Sequence, residues 1–368
     1  LDVDYRSIAL EAAPTTPEYY SPLFREYLTA GSVTTGSTFM PMRTAGAKAR
    51  AMLLEAASQD WQVPSAELTT EGGKVTHAAS GRSSTYGELL EAIHRLDIQP
   101  PETVTLKDPS EFKILGKPAR RYEGAGKVDG SAEFGIDIKL PGMLYGAIAR
   151  PPVHSGSVID FDATEALAMP GVVKVKAIRA GVVVLADSYW RAQKARAKLK
   201  IEWDRGVNDG VSSEQFYADY RALADTPGLL AEDIGDAIGA LDEAEDVVEA
   251  TYEMPLLAHA TLEPMNCIAR VEGDTCTIWS GTQYQSNDQE VISRFLGIPQ
   301  QNVTIHRPLM GGSFGRRSSK TADYTVEAVE AAMGESVPVQ IIWSREEDIR
   351  SGHYRPLFVH KLRGSVDE

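Results

Sequence analysis

The chain has 368 residues, 43% hydrophobic and 24% charged, enough to bury a sizeable core in two or three domains. A formal net charge of −15 argues against nucleic acid or an anionic membrane surface as the main partner. No apolar stretch is long enough to cross a membrane or is laid out as a secretory signal, and a chain that opens on Leu1 and stops in mid-flow at Asp367-Glu368 is expected to be a fragment or a processed product.

Residues 1–115 start with an extended piece over 6–11 and a Gly/Ser/Thr-rich loop over 29–38. Apolar residues at helical spacing predict a helix over 44–59. Gly72-Gly73 centres a hairpin over 67–77, and Thr85-Tyr86-Gly87-Glu88 has the capping-box spacing that starts a second helix. Residues 99–118 are polar and proline-bearing, the composition of a linker. Residues 116–204 predict a compact α+β unit with strands over 144–149, 172–177 and 182–186, short helices near 163–168 and 190–199, and a closing strand over 200–203. The acidic, glycine-punctuated stretch 205–246 reads as a surface connector with one helix over 213–224, because it has too few large apolar residues to bury much. From 247 to 368 strands (247–253, 266–272, 275–279, 303–305, 339–343) alternate with helices (285–296, 321–333), which argues α/β layering. The expected fold class is therefore α+β and α/β.

Cys267 and Cys276 flank the turn at Gly273-Asp274. A hairpin centred there sets 267 opposite 280 and 271 opposite 276, so the thiols are not cross-strand partners and both read as packed small side chains. Two cysteines cannot ligate an iron–sulfur cluster alone.

The most informative run is Gly311-Gly312-Ser313-Phe314-Gly315-Arg316-Arg317, between a β-branched run and the helix over 321–333. Glycines let backbone N–H groups converge, the helix offers its positive end, and two guanidinium groups add charge, so the loop is suited to an anion. It is neither a Walker loop nor a Gly-x-Gly-x-x-Gly dinucleotide loop. Phe314 is either an anchor pinning the loop to the core or one wall of a substrate slot. Gly281-Thr282-Gln283 lies between a strand and a helix, where open α/β layers present functional side chains. A Gln there is suited to hydrogen-bonding an oxo or sulfido ligand of a metal, or it is simply the turn leading into the helix. His259 and Glu263 form either a general-base pair or a polar network fixing a loop. The run from Trp343 through Asp348 reads as a strand end followed by a charged, solvated turn. The histidines show no metal-binding cluster, so direct side-chain ligation of a metal is not expected.

Taken in order, these segments resemble the large subunit of the molybdenum hydroxylases, the xanthine dehydrogenase and aldehyde oxidase family, and within it the branch of isoquinoline 1-oxidoreductase β-subunits. The resemblance is carried by 259–264, Gly281-Thr282-Gln283, Leu296-Gly297-Ile298-Pro299, 310–317, and 343–348 with Tyr354-Arg355-Pro356. Gly126-Lys127-Val128-Asp129-Gly130, Leu140-Pro141-Gly142-Met143 and Met169-Pro170-Gly171-Val172 echo the family's α/β hammerhead. The resemblance implies a hammerhead domain at 116–204, with pieces of the molybdenum-cofactor-binding domain at 1–115 and 247–368. It implies molybdenum held by molybdopterin in its cytosine dinucleotide form, without side-chain ligands. Gln283 would hydrogen-bond a molybdenum ligand, and Phe314 and Gly315 would lie beside the metal and pterin, with Phe314 lining the substrate slot. Gly311, Gly312, Ser313 and Arg316 would support the pterin or its phosphate. Gly31 and Ser32 would join them from a loop where Ala30 replaces a family glycine.

The implied reaction is hydroxylation of an aldehyde or N-heteroaromatic small molecule with water-derived oxygen. The implied partners are a small iron–sulfur subunit and a cytochrome c subunit. The family's general-base Glu, in a Gly-Glu motif near its C-terminus, has no match here, so these residues alone are expected to be silent and to need the missing C-terminal part of the same subunit. The branch implies the periplasm or the periplasmic face of the inner membrane. The alternative reading is a non-catalytic assembly or binding module that keeps the fold without metal.

Overall fold

The computed structural model describes residues 1–366; Asp367 and Glu368, the end of the fourth expected segment, lie outside the described residues. The chain divides into two compact units, Leu1–Glu133 with Tyr284–Ser286, and Phe134–Gln283 with the remainder. The division falls elsewhere than the boundaries at 115/116 and 204/205 suggested by composition.

The first unit is built on helix α1 (Thr34–Trp61), the strands β1 (Leu68–Glu71), β2 (Lys74–His77) and β3 (Arg82–Thr85) in an antiparallel sheet, and helix α2 (Tyr86–Arg95). Leu53 and Ala57 of α1, Leu68, Val75 and Leu89 form its core. The α2 capping box is present, with Thr85 accepting from Glu88 N and Glu88 accepting from Thr85 N. Helix α1 begins ten residues before the expected start and contains Pro41. Proline removes its own N–H and crowds one carbonyl. One lost bond does not end a helix that continues on both sides of it, and the hydroxyl of Thr38 bonds back to Thr34 O at 2.7 Å. Residues 34–38, expected as loop, are thus helical. The expected linker is irregular apart from a 3₁₀ turn at Pro109–Glu111, and a single-turn helix α3 (Gly126–Asp129) follows.

The second unit runs through β4 (Leu144–Ala149), β5 (Ser157–Asp162), α4 (Thr164–Leu167), β6 (Val172–Ile178), β7 (Gly181–Ala186), α5 (Tyr189–Arg196) and β8 (Lys200–Asp204). It continues with α6 (Ser213–Ala224), α7 (Ala237–Glu243), β9 (Val248–Met254), β10 (Asn266–Glu272), β11 (Thr275–Trp279), α8 (Gln285–Leu296) and β12 (Val303–His306), and ends with α9 (Asp323–Ala332), β13 (Val339–Ile342), α10 (Arg345–Arg350) and β14 (Phe358–Gly364). Its main sheet is mixed, in the order β12-β11-β10-β13-β4-β7-β6, with β11–β12 and β13–β4 parallel. The strands expected in a separate 116–204 unit therefore share one sheet with those of 247–368. β7 is buried along its whole length, which is why it reads as the unbroken run Val182-Val183-Val184-Leu185 rather than an alternation.

β9–β14 and β5–β8 form two-stranded ribbons. Strands β5 and β14 and helix α7 were not expected, and the charged turn after Trp343 is helix α10. The hairpin register is as expected, Val271 opposite Cys276 and Ile268 opposite Trp279, and both cysteines are free and buried. The mixed α/β class is as read. No helix among the described residues is long and apolar enough to cross a membrane.

Candidate functional site

At the end of β11 the chain turns through Ser280-Gly281-Thr282-Gln283 into α8, and this turn meets the glycine-rich loop that follows β12. Ser280 N donates to His306 O at 3.0 Å, extending the strand pairing, and Gln283 N donates to Arg317 O at 3.0 Å. The Gln283 carboxamide reaches the loop as well: its Oε1 accepts from Ser313 Oγ and from Gly315 N (3.2 Å). Ser313 Oγ in turn accepts from Arg317 N at 3.0 Å. Gln283 and the loop, separate motifs in the sequence, are one hydrogen-bonded structure.

Arg317 bolts three backbone segments together. It is 1% exposed. Its Nε donates to Gly312 O, one terminal nitrogen to Gly281 O, and the other to Glu263 O and Oε2, at 3.0–3.1 Å. Glu263 completes the arrangement by accepting also from Ile136 N (3.0 Å), Asn266 Nδ2 (2.9 Å) and Gly311 N (2.6 Å). A Cβ at Gly311 would stand 2.5 Å from Glu263 Cβ, so only glycine lets the loop backbone come this close.

The expectation that both arginines face an anion is corrected. Arg316 is buried and its guanidinium makes a two-pronged bond to Asp323, at 3.0 and 2.6 Å. Burial opposes ionisation of Asp323, but its bonds to Arg316 and the guanidinium charge together hold the carboxyl below its ordinary value. A buried guanidinium needs a carboxylate. The two partners lie in other segments, which is why the sequence motif hid them. Most of the loop's amides are also spent: Gly311 N and Gly315 N as described, and Arg316 N on Ser313 O. Among the described residues, the N–H groups of Gly312, Ser313 and Phe314 have no protein acceptor.

Phe314 has φ +56°, between Gly312 at +102° and Gly315 at +101°. Its ring is 65% exposed, so it does not anchor the loop in the core. Its carbonyl accepts from Arg355 at 3.2 Å. His259 and Glu263 do not pair, and Glu263 belongs to the network that fixes the loop. Burial, and then the charges of Arg355 and Arg316, push the His259 imidazole down towards its neutral form. Gly31 and Ser32 lie in the first unit, in an exposed turn with φ +60° and +55° just before α1. Sequence reasoning missed the structural weight of Arg317, Glu263 and Asp323. The signal available was Glu263 beside Pro264 in a segment without helical spacing. No group of three or more His, Cys, Asp or Glu placed to hold a metal ion occurs among the described residues.

Residues 223–368 match the sequence profile of the molybdopterin cofactor-binding domain family. The whole chain is 30% identical, over 411 residues, to the isoquinoline 1-oxidoreductase subunit beta of Brevundimonas diminuta, covering 52% of that protein. It is 28% identical to the membrane-bound aldehyde dehydrogenase [pyrroloquinoline-quinone] of Gluconacetobacter polyoxogenes, again over all of this chain and 48% of the relative. The chain thus spans about half the length of these relatives. Among solved structures, the aldehyde oxidoreductase of Desulfovibrio gigas shares the fold with a TM-score of 0.53 at 20% identity, covering 76% of this chain and 36% of that one.

Proposed function

The chain belongs to the molybdenum hydroxylase family, as part of its molybdopterin-binding large subunit, and from that premise we propose that Gln283 and the Gly311–Arg317 loop form the cofactor-facing side of an oxidoreductase site that hydroxylates aldehydes or N-heteroaromatics. The observation that carries the reading is the joint fixing of Gln283 and the loop: one carboxamide oxygen held by Ser313 and Gly315, beside an exposed phenyl ring. The residues present fit a molybdopterin group. Among the described residues, three consecutive N–H groups, of Gly312, Ser313 and Phe314, lack protein acceptors. A Cβ built on Gly315 meets nothing nearer than His259 Nε2 at 3.9 Å, so the backbone there is open to a flat, electron-rich partner.

When bound, such a group supplies two-electron redox chemistry and the water-derived oxygen of the hydroxylation. The chain's own residues do the rest by position. Gln283, neutral and held through its Oε1 by Ser313 and Gly315, would hydrogen-bond a ligand of the metal without displacing it. Gly312, Ser313 and Phe314 donate backbone N–H groups, and the Phe314 ring forms a wall that accepts a flat apolar substrate by stacking. Arg316 acts through Asp323 to hold the loop rather than by gripping phosphate. Neither adjacent carboxylate is available as a base: Glu263 accepts four hydrogen bonds and Asp323 is clamped by Arg316. The proton-abstracting carboxylate is therefore supplied from elsewhere in the subunit. The cytosine dinucleotide form, an iron–sulfur partner and a periplasmic setting belong to the same proposal.

The test is turnover of an aldehyde and of an N-heteroaromatic by the full-length subunit in its complex, with a dye as electron acceptor. Turnover of one class is expected, and Gln283→Ala lowers it, per bound molybdenum, on the order of 100-fold or more, the usual effect of losing a preorganised neutral donor. Undiminished turnover in that variant, or none of either class by the metal-loaded complex, contradicts the reading.

A further inference from the structure

Strands β9 and β14 pair with each other and, among the described residues, with no other strand. In an antiparallel pair, residues directly opposite share a face, and the two faces alternate along each strand. On one face the register sets Glu253 opposite Val359, Thr251 opposite Lys361 and Glu249 opposite Arg363. That face already has its partners. Helix α6 packs against β14, and its Arg221 makes a two-pronged bond to Glu253 at 2.6 and 2.8 Å. Lys361 pairs with Asp225 at the end of α6, and Arg363 pairs with Glu249 at 2.8 Å.

The opposite face is apolar. It sets Phe358 opposite Met254, His360 opposite Tyr252, Leu362 opposite Ala250 and Gly364 opposite Val248. Val248, Tyr252, Met254, Phe358 and Leu362 are each between 41% and 71% exposed. Single exposed apolar residues are ordinary, but a continuous row of five on one face marks a surface that is meant to be covered. A two-stranded ribbon is marginal in water unless it gains further strands or packs an apolar face. The charged face cannot make up the deficit, because exposed ion pairs contribute little. The ribbon is also rooted beside the glycine-rich loop. Leu257 N donates to Arg355 O at 3.2 Å and Arg355 N to Leu257 O at 2.8 Å, and the Arg355 guanidinium donates to Phe314 O.

The length of the relatives decides between occupants. Two of them align with the whole of this chain, which spans only 52% and 48% of their length, and the cofactor-binding family match takes in both strands of the ribbon. We propose that the apolar face of the β9–β14 ribbon is a docking surface for the part of the subunit that those relatives carry beyond these residues. A segment of the same chain meets the face at high effective concentration, so five side chains suffice where a separate protein needs a larger interface. The inference rests on the family membership of the chain and on no property of the metal.

The test uses the full-length subunit, first alone and then in its complex. Hydroxyl-radical labelling read by mass spectrometry is expected to leave Met254, 50% exposed here, as unreactive as the buried Met265. Tyr252 and Phe358 are expected to be protected in the same way, already in the isolated subunit. Benzoylphenylalanine placed at Tyr252 identifies the occupant: the light-induced cross-link is expected on a peptide of the same molecule outside residues 1–368. Ready labelling of Met254 in the isolated full-length subunit overturns the proposal, and needs no variant. A cross-link to residues 1–368 or to a second copy overturns the choice of occupant, as does protection that appears only in the complex. Neither readout involves molybdenum, so their failure leaves the proposed function standing, and a subunit without turnover leaves this inference standing.

Discussion

Arg317 keeps three stretches of backbone in register, and its value lies in being buried with every nitrogen engaged. Removing one partner of such a pair strands the other charge in the interior, which typically costs about 3–5 kcal/mol. Arg317→Leu is therefore expected to lower unfolding free energy by roughly that amount in urea titrations, and a loss under about 1 kcal/mol contradicts the role given to it. At this scale the sequence revealed the loop and concealed its wiring. Three glycines around a phenylalanine are an unusual composition and visible at sight. The inward turn of Arg316 and Arg317 depends on Asp323 and Glu263, the latter 54 positions away, and neither charge nor spacing announces that pairing. Gln283 was visible as a turn residue, whereas its bond to Ser313 needed the fold.

At the scale of elements, two helices carry the same start signal. Thr85 with Glu88 was legible because an apolar-periodic run follows. Ser344 with Glu347 was not, since the helix it starts is six residues long and its first turn is all charge. In the structure Glu347 and Asp348 of α10 are buried, and Glu347 accepts from Ser344 N at 2.6 Å and from Arg196. Acids in a first turn also suit the positive end of the helix. Loss of the cap in Ser344→Ala is expected to cost about 0.5–2 kcal/mol, read as a lowered thermal midpoint; an unchanged midpoint means that α10 does not depend on its cap. The hairpin β10–β11 was legible to the residue because a two-residue turn fixes register. Helix α1 was expected ten residues too late because the Gly/Ser/Thr-rich composition of 29–38 pointed to a loop, whereas the helix runs from Thr34 through Pro41.

For the whole molecule, composition marks where solvent exposure changes, not which strands pair. The acidic connector was therefore legible, while the parallel pairing of β13 with β4, Val339 opposite Leu144, was not. That pairing draws the middle and last parts of the chain into one sheet and gives the site its frame: β11 and β12 present the turn and the loop from neighbouring strands. An acidic chain whose glycine-rich loop buries its own arginines is a poor cradle for a free polyanion. A neutral set of N–H donors and a carboxamide suits a cofactor held by many weak contacts. The most direct test of this account is the molybdenum and pterin content of the full-length subunit purified from cells that make the cofactor. Stoichiometric molybdenum with a releasable pterin, both lowered in amount when the Ser313→Ala substitution removes the hydroxyl that holds Gln283 Oε1, is the result predicted. A folded subunit without molybdenum or pterin contradicts it and favours the non-catalytic assembly module.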